Sequence, residues 1–425
     1  MTEHFIFSGH DTVELAKQYG TPLYVMSEDI LRANIRKIAT AFESADADYS
    51  INFAGKSFLN KGMCKIIDSE GICLDVASGG ELYTAVQSGF DPKRICMHGS
   101  NKSMDELSMA LAYGVGHIVV DSAYELENLD RLTREAEKNV QILFRIAPGI
   151  EAHTHELIQT GKTDTKFGLP LEQAEEVILR TKDMPYIKTV GIHCHIGSQI
   201  ADEVPFLRAS EVMLELYKKL LSNGIPLKEL NLGGGFGIPY LPEDPTFDVT
   251  AYIPKMVAHL RMLCEEAKIE MPKLVVEPGR SLSAPAGITL YTVGCVKEIP
   301  GIRTYVSIDG GMADNPRPAL YDAEYDAVIC NRQKNEDNTQ VVTVSGKACE
   351  TDLMIKDIAL ASPTPGDILA VLHTGAYNYS MASNYNRLRR PAVVLLKGSE
   401  SAVLVERESY EDLLKNDRIP AWLED

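Results

Sequence analysis

"YSINFAGKSF", Tyr49 to Phe58, is a short apolar run rich in β-branched and aromatic residues that ends on a lysine between glycine and serine. Such a run, closed by a turn signal, predicts a buried strand over 49–54. Seven more follow it: "ICLDVA" (72–77), "RICMHG" (94–99), "HIVVD" (117–121), "VQILFRI" (140–146), "KTVGIHCH" (188–195), "KELNL" (228–232) and "KLVVE" (273–277). The segments between them carry helix signals. Ser78-x-x-Glu81, Ser103-x-x-Glu106 and Ser122-x-x-Glu125 predict capping boxes just after a strand, where hydroxyl and carboxylate satisfy first-turn N–H groups. "FLRASEVMLELYKKLLSNG" keeps helical spacing and stops at Asn223-Gly224. Strand and helix alternating eight times predict an α/β fold, a (β/α)8 TIM barrel over 31–280, with a helix at 27–42 before its first strand. An open doubly wound sheet is the competing arrangement.

After Gly279 the rhythm changes. "GITLYTVGCVKEI", "TYVSIDGG", "AVIC", "QVVTVSGKA", "GDILAVL" and "AVVLLKGS" read as strands parted by turn residues, which predicts a second, β-rich domain of barrel or sandwich type over 281–425. A chain of 425 residues is long enough for two domains. Its net charge of −18 argues against a nucleic-acid partner, because a phosphate backbone needs a basic face. The start "MTEHFIFSGHD" lacks a signal peptide's basic and apolar regions, and no apolar run approaches a membrane span, so the expectation is a cytoplasmic chain with no membrane partner. Eight scattered cysteines with no C-x-x-C pattern predict that most are buried thiols rather than disulfides, Cys349 being set apart.

In a (β/α)8 barrel the residues just past the C-terminal strand ends share one rim, where the chemistry sits. Lys56 follows the first strand; His195 and Ser198 follow the sixth; Gly233, Gly234, Gly235 and Gly237 follow the seventh; Glu277 and Arg280 end the eighth. An isolated strand-end lysine is ordinarily just solvated, and a glycine triplet is ordinarily a turn. Position changes both readings. The loops after strands seven and eight are the fold's usual phosphate site, and glycines let backbone N–H groups approach an anion, with Arg280 adding a charge-assisted contact. His193 and His195 lie on one strand face; they read as a metal pair, as packed core histidines, or as a platform for a flat ring. No third ligand is near in sequence, so no metal is expected. An amine, an anion cradle, a ring platform and a carboxylate suit pyridoxal 5′-phosphate, which needs an imine-forming lysine, a held phosphate and an acid beside its ring nitrogen. The loop 147–169, with His153 and His155, is long enough to be functional, and no role follows from its spacing.

"FAGKSF", "HCHIGSQ", "NLGGGFG", "EPGR", "GKACETD" and "GDILAVLHTGAYNYSMASNYNRLRRP" occur in an order that resembles the diaminopimelate decarboxylase family of fold-type III pyridoxal-phosphate enzymes. The resemblance covers nearly the whole chain. It implies a barrel plus a β-rich domain that takes in residues 1–30, and removal of the D-centre carboxylate of meso-2,6-diaminopimelate to give L-lysine. By position it implies Lys56 as covalent anchor and His195 as ring platform. Ser198, Gly234, Gly235, Gly237, Glu277, Gly279 and Arg280 would hold phosphate and ring nitrogen. It further implies Arg280, Arg317 and Tyr321 on substrate, Glu350 on an amino group, Tyr377 on both cofactor and substrate, and a homodimer in which Cys349 is catalytic from the partner subunit. Two motifs depart from the family's: the lysine motif is usually closer to Y-A-x-K-A-N, and "CETD" is one residue shorter than C-E-S-x-D.

The residues of the second domain agree with that reading. A substrate with a second amino-acid head needs an anion clamp, which a planar guanidinium at Arg317 supplies, and a cation acceptor, which Glu350 supplies. The alternatives are a surface ion pair for Arg317 and a buried thiol for Cys349. At the level of function, the rivals are an amino-acid racemase, a decarboxylase of ornithine, arginine or carboxynorspermidine type, and a non-catalytic pyridoxal-binding protein. Lys56 and Cys349 are both candidates for returning a proton to Cα.

Overall fold

The computed structural model describes residues 4–150 and 165–424. The chain divides into two compact units, one of Arg32–Pro239 and Glu243–Leu282, the other of Met1–Leu31, Tyr240–Pro242 and Ser283–Asp425. Strand β1 (Leu23–Ser27) and helix α1 (Glu28–Ser44) precede the barrel strands in the chain.

The first unit is a closed parallel barrel. Its strands are β2 (Tyr49–Ala54), β3 (Cys73–Val76), β4 (Ile95–Met97), β5 (His117–Val120), β6 (Val140–Ala147), β7 (Ile187–Cys194), β8 (Glu229–Asn231) and β9 (Lys273–Val276). Each pairs in parallel with the next, β9 pairs with β2, and the ring has no open edge. All eight expected strands are present, and closure settles the barrel against the open sheet. Between consecutive strands lie α2 (Lys61–Ser69), α3 (Gly79–Gln87), α4 (Met104–Tyr113), α5 (Ala123–Ala136), α6 (Leu171–Leu179), α7 (Val204–Ser222) and α8 (Val249–Ala267).

Local chemistry places these helices. Before α4, the Ser103 Oγ accepts from the Glu106 N–H at 3.2 Å while Glu106 accepts from the Ser103 N–H at 2.9 Å, a complete capping box. Ser78 and Ser122 provide only the hydroxyl half. Their glutamates reach one residue further back, accepting from the N–H groups of Ala77 (2.7 Å) and Asp121 (3.4 Å). Glu125 is also drawn to the buried Lys102 ammonium, 2.8 Å away. Helix α7 stops at Asn223, and Gly224 turns out of it at φ +78°, a left-handed value that glycine adopts without strain.

Inside the barrel, Cys96, Val119, Leu143 and Val190 from four adjacent strands form an apolar cluster. A register shift between Thr189 and Gly191 breaks the alternation of β7. Val190 therefore joins that cluster while His193, three residues on, reaches Glu277.

The second unit is β-rich. Its sheet runs β14 (Leu353–Ala361), β13 (Thr339–Ser345), β11 (Arg303–Ile308), β10 (Gly287–Ile299), β1, β16 (Ala392–Lys397) and β17 (Glu400–Val405). Two further strands, β12 (Ala327–Ile329) and β15 (Ile368–Val371), pair with each other, and β15 also pairs with β10. Strand β10 serves three partners, β1 and β15 through its first half and β11 through its second. Leu23, Val25, Ile288, Leu290, Ala370, Val394 and Leu396 form the apolar core of this unit. Among the described residues no helix is long and apolar enough to cross a membrane, and all eight cysteines are free.

Candidate active site

Lys56 follows β2 and is exposed, while Ala54, Gly55, Ser57 and Phe58 around it are buried. The adjacent strand β9 delivers Glu277 to the same rim. The Ala54 N–H donates to the Pro278 carbonyl at 3.1 Å, and a Cβ on Gly279 would stand 3.0–3.1 Å from Ala54 and Ser57. Glycine at 279 is therefore what lets the lysine loop and the carboxylate loop meet.

The glycine run after β8 does similar work. A Cβ on Gly233, Gly234, Gly235 or Gly237 would meet the backbone carbonyl of Cys194 (2.4 Å), Glu277 (2.1 Å), Gly197 (2.4 Å) or Ile200 (2.9 Å). The first reason for these glycines is the close packing of three strand-end loops, with Gly235 at φ +107°. That packing gathers backbone beside Ser198, whose Oγ accepts from Arg280 Nη2 at 2.9 Å. A buried guanidinium, a hydroxyl and a side-chain-free backbone loop together suit a phosphate.

His195 is partly buried, and its Nδ1 accepts from the Gly234 N–H at 3.3 Å, which puts the ring proton on Nε2. Burial, with the nearby Lys56 and Arg145 cations, holds its pKa well below the usual imidazole range, so the ring is neutral and suited to lie against a flat ligand.

Glu277 is the centre of a buried polar group. Its carboxylate accepts from His193 Nε2 at 3.0 Å and from Asn231 Nδ2 at 2.6 Å, and His98 Nε2 lies 3.2 Å away. Burial works against the charge, but His193 and His98 outweigh it and hold Glu277 well below the usual carboxylate range. His193 is pushed down to about 4, chiefly by burial, and its Nδ1 has no partner among the described residues, which is compatible with a neutral ring whose proton is on Nε2. His193 is thus a hydrogen-bond donor to Glu277. His98 is 3.4 Å from Asp75, whose other neighbour is Asn52 Nδ2 at 3.0 Å. Burial opposes the His98 charge too, but Glu277, Cys96 and Asp75 around it hold its pKa well above the usual range. Two triplets here, Asp75–Cys96–His98 and His98–His193–Glu277, have the spacing of metal donors. Their acids and bases already pair with one another. An ionised, buried carboxylate is what a protonated ring nitrogen requires, and these residues fit pyridoxal phosphate.

Sequence reasoning missed His98, Asp75, Asn231 and Arg145. Arg145 carries its guanidinium 4.2 Å over the Phe167 ring, and Asp121 beside it accepts from the Gly168 N–H at 2.9 Å. Each sits at or near a strand's C-terminal end, the one signal that was available. His153 and His155 lie outside the described residues.

In the β-rich unit Arg317 is only 6% exposed. Its Nη1 donates to the hydroxyls of Tyr240 (3.0 Å) and Tyr325 (2.5 Å), and the guanidinium lies 5.1 Å and 5.5 Å from those rings. Among the described residues it has no carboxylate partner, which removes the surface-ion-pair alternative. Tyr321 ends the short helix that Arg317 begins and is half-buried. Tyr377 is held at φ +61°, an uncommon backbone for an aromatic residue and of a kind that concentrates at functional sites.

Cys349 is exposed, not a buried thiol; its N–H donates to Asn386 Oδ1 at 2.8 Å, and Glu350 accepts from the Tyr385 hydroxyl at 2.6 Å. Asp352 clasps this loop to the one before Arg317. Its carboxylate accepts from the N–H groups of Met312 (2.8 Å) and Ala348 (3.0 Å), and a Cβ on Gly311 or Gly346 would strike it.

Residues 31–284 match the family model described as pyridoxal-dependent decarboxylase, pyridoxal binding domain. Diaminopimelate decarboxylase of Bacillus subtilis (strain 168) is 46% identical over 97% of this chain and 95% of its own length. Its counterpart from Staphylococcus aureus (strain COL) is 43% identical over 95% of each chain. The crystal structure of diaminopimelate decarboxylase from M. jannaschii with L-lysine superposes at a TM-score of 0.92, with 36% identity over 99% of this chain and 97% of that one. With rim, relatives and neighbours in agreement, the chain belongs to the diaminopimelate decarboxylase family of pyridoxal-dependent decarboxylases.

Proposed function

We propose that this chain removes the carboxylate at the D-centre of meso-2,6-diaminopimelate and releases L-lysine and carbon dioxide, with pyridoxal 5′-phosphate as cofactor. When bound, the cofactor supplies a carbonyl that condenses with an amine and a ring that withdraws electrons from the carbon losing its carboxylate. Lys56 is the amine that holds it. Glu277, kept ionised by its histidines, faces the ring nitrogen; His195 is the ring platform; Ser198, Arg280 and the backbone of Gly234, Gly235, Gly237 and Gly279 take the phosphate. Arg280, Arg317 and Tyr321 bind the substrate, Glu350 its distal amino group, and Tyr377 both substrate and cofactor. Cys349 works from the partner subunit of a cytoplasmic homodimer. Either the Lys56 ammonium or the Cys349 thiol returns a proton to Cα.

One observation carries the substrate choice: a buried guanidinium held by two phenols with no carboxylate partner among the described residues. Burying a cation is expensive unless a partner compensates it, and the distal carboxylate of diaminopimelate is such a partner. An ornithine- or arginine-type substrate has no such carboxylate. The test is to incubate the pyridoxal-loaded protein with meso-diaminopimelate and assay carbon dioxide and lysine. Arg317→Ala should lower kcat/KM by roughly 10- to 150-fold, about 1.5–3 kcal/mol of lost transition-state binding. Equal turnover of basic amino acids that lack the distal carboxylate would overturn the assignment.

A further inference from the structure

His98 stands between two carboxylates, 3.2 Å from Glu277 and 3.4 Å from Asp75, and its ring meets that of His193 edge-on at 5.1 Å. The side chains of all three charged partners are nearly buried, 11% exposed for His98, 9% for Glu277 and 8% for Asp75. The titratable groups packed on His98 come from four strands: Asp75 on β3, Cys96 on β4, His193 on β7 and Glu277 after β9. With His193 neutral and Cys96 protonated, its thiol pushed up to about 12 by burial, the charges are Asp75−, Glu277− and His98+. They sum to one negative charge.

We propose that His98 is a positioning residue for the cofactor's ring-nitrogen site: lying between Asp75 and Glu277, it lets both carboxylates stay ionised in a buried pocket and leaves one net negative charge to meet the protonated ring nitrogen. This rests on the reading of Glu277 as the ring-nitrogen partner and deepens it. A lone buried Glu277 would satisfy the same charge count. The additional acid and base fix where the charge sits: Asn52 holds Asp75, Asn231 and His193 hold Glu277, and the imidazolium links the two carboxylates.

The charge count makes an unusual pair of predictions for cofactor affinity. Asp75→Asn leaves Glu277 and His98 cancelling each other, so the protonated ring meets a neutral site. His98→Gln alone leaves two adjacent carboxylates. Asp75→Asn with His98→Gln restores a single negative charge on Glu277. The measurement is the dissociation constant of pyridoxal 5′-phosphate for the cofactor-free full-length protein, followed by absorbance at pH 7.5 without substrate, alongside Glu277→Gln.

Asp75→Asn should weaken cofactor binding about tenfold, and the double variant should return to within about threefold of wild type. A merely structural role would make the double variant as weak as Asp75→Asn or weaker, and that result would overturn the inference while leaving Glu277 in place. If Glu277→Gln binds the cofactor as wild type does, the ring-nitrogen reading itself fails. Should the variants not fold, wild-type protein with labelled histidines decides the matter by NMR. An imidazolium persisting at pH 8 supports the inference, and ten neutral rings at that pH overturn it.

Discussion

Glu277 and Arg317 are both charged groups taken out of water, one at the barrel rim and one in the β-rich unit, and their surroundings differ. The Glu277 carboxylate is ringed by Asn231, His193 and His98, two of them hydrogen-bonded and the third an imidazolium 3.2 Å away. The Arg317 guanidinium touches two phenol hydroxyls and two aromatic faces, which solvate a cation without neutralising it. The barrel therefore surrounds its charge with donors and a cation of its own, whereas the β-rich unit holds a charge with no carboxylate partner among the described residues, whose counter-ion, under the proposed function, arrives with the substrate. A cofactor stays through many turnovers, so its partner must be stable without it. A substrate leaves, so its clamp must tolerate being bare.

The contrast is broken most severely at the barrel. Glu277→Leu removes the acceptor from two donors at once, His193 and Asn231, and leaves the His98 charge facing only Asp75. It should destabilise the cofactor-free protein by about 3–5 kcal/mol, the usual result of deleting one side of a buried charge pair. Denaturant unfolding followed by circular dichroism measures it. A loss below about 1 kcal/mol would mean that the ring of donors does not depend on Glu277.

Asp75 sharpens the same side of the comparison through pH. Burial raises its pKa to about 6, with Glu277 adding repulsion and His98 pulling the other way. A carboxyl whose folded pKa lies above its unfolded value of about 3.9 binds its proton more tightly when folded. Its contribution to stability is therefore full below about pH 4 and is lost as pH rises through 6. Asn at this position copies the protonated form. Relative to wild type, Asp75→Asn should gain on the order of 2 kcal/mol between pH 4 and pH 7.5, read from paired unfolding curves of the cofactor-free proteins. A difference that stays constant with pH would show that Asp75 does not titrate in that window.

The two regions were unequally legible in the sequence. Strands β2 to β9 read correctly because parallel barrel strands are covered on both faces and appear as nearly unbroken apolar runs. The rim residues at the strand ends, Lys56, His195 and Glu277, followed from position alone. The polar layer beneath them did not. Asp75 in "ICLDVA", His98 in "RICMHG" and Asn231 in "KELNL" look like interruptions of a strand, and only closure of the ring brings them together around Glu277.

In the β-rich unit, β14 was hidden behind the "CETD" motif, and β17 is a largely exposed edge with no buried face to pattern it. Tyr240 was the hardest to find. It lies in "GIPYLPED", inside the barrel's stretch of sequence, yet it belongs to the β-rich unit and holds Arg317 from there. Spacing along the chain carries no signal for such an excursion.

The smallest expected effect is the other half of the comparison. Arg317→Met keeps a long flexible chain in the same buried slot, removes a cation with no counter-charge among the described residues, and takes the Arg317 donor from the Tyr240 and Tyr325 hydroxyls. The first change relieves desolvation and the second leaves two phenol oxygens less well satisfied, so the terms oppose each other. Stability of the cofactor-free protein should stay within about 1 kcal/mol of wild type, even as turnover of diaminopimelate falls. A thermal or denaturant melt gives the first quantity and steady-state kinetics the second. If Arg317→Met unfolds the protein as readily as Glu277→Leu does, Arg317 is a structural charge with a compensating partner after all, and the distinction between a charge balanced within the fold and one kept for an arriving anion is lost.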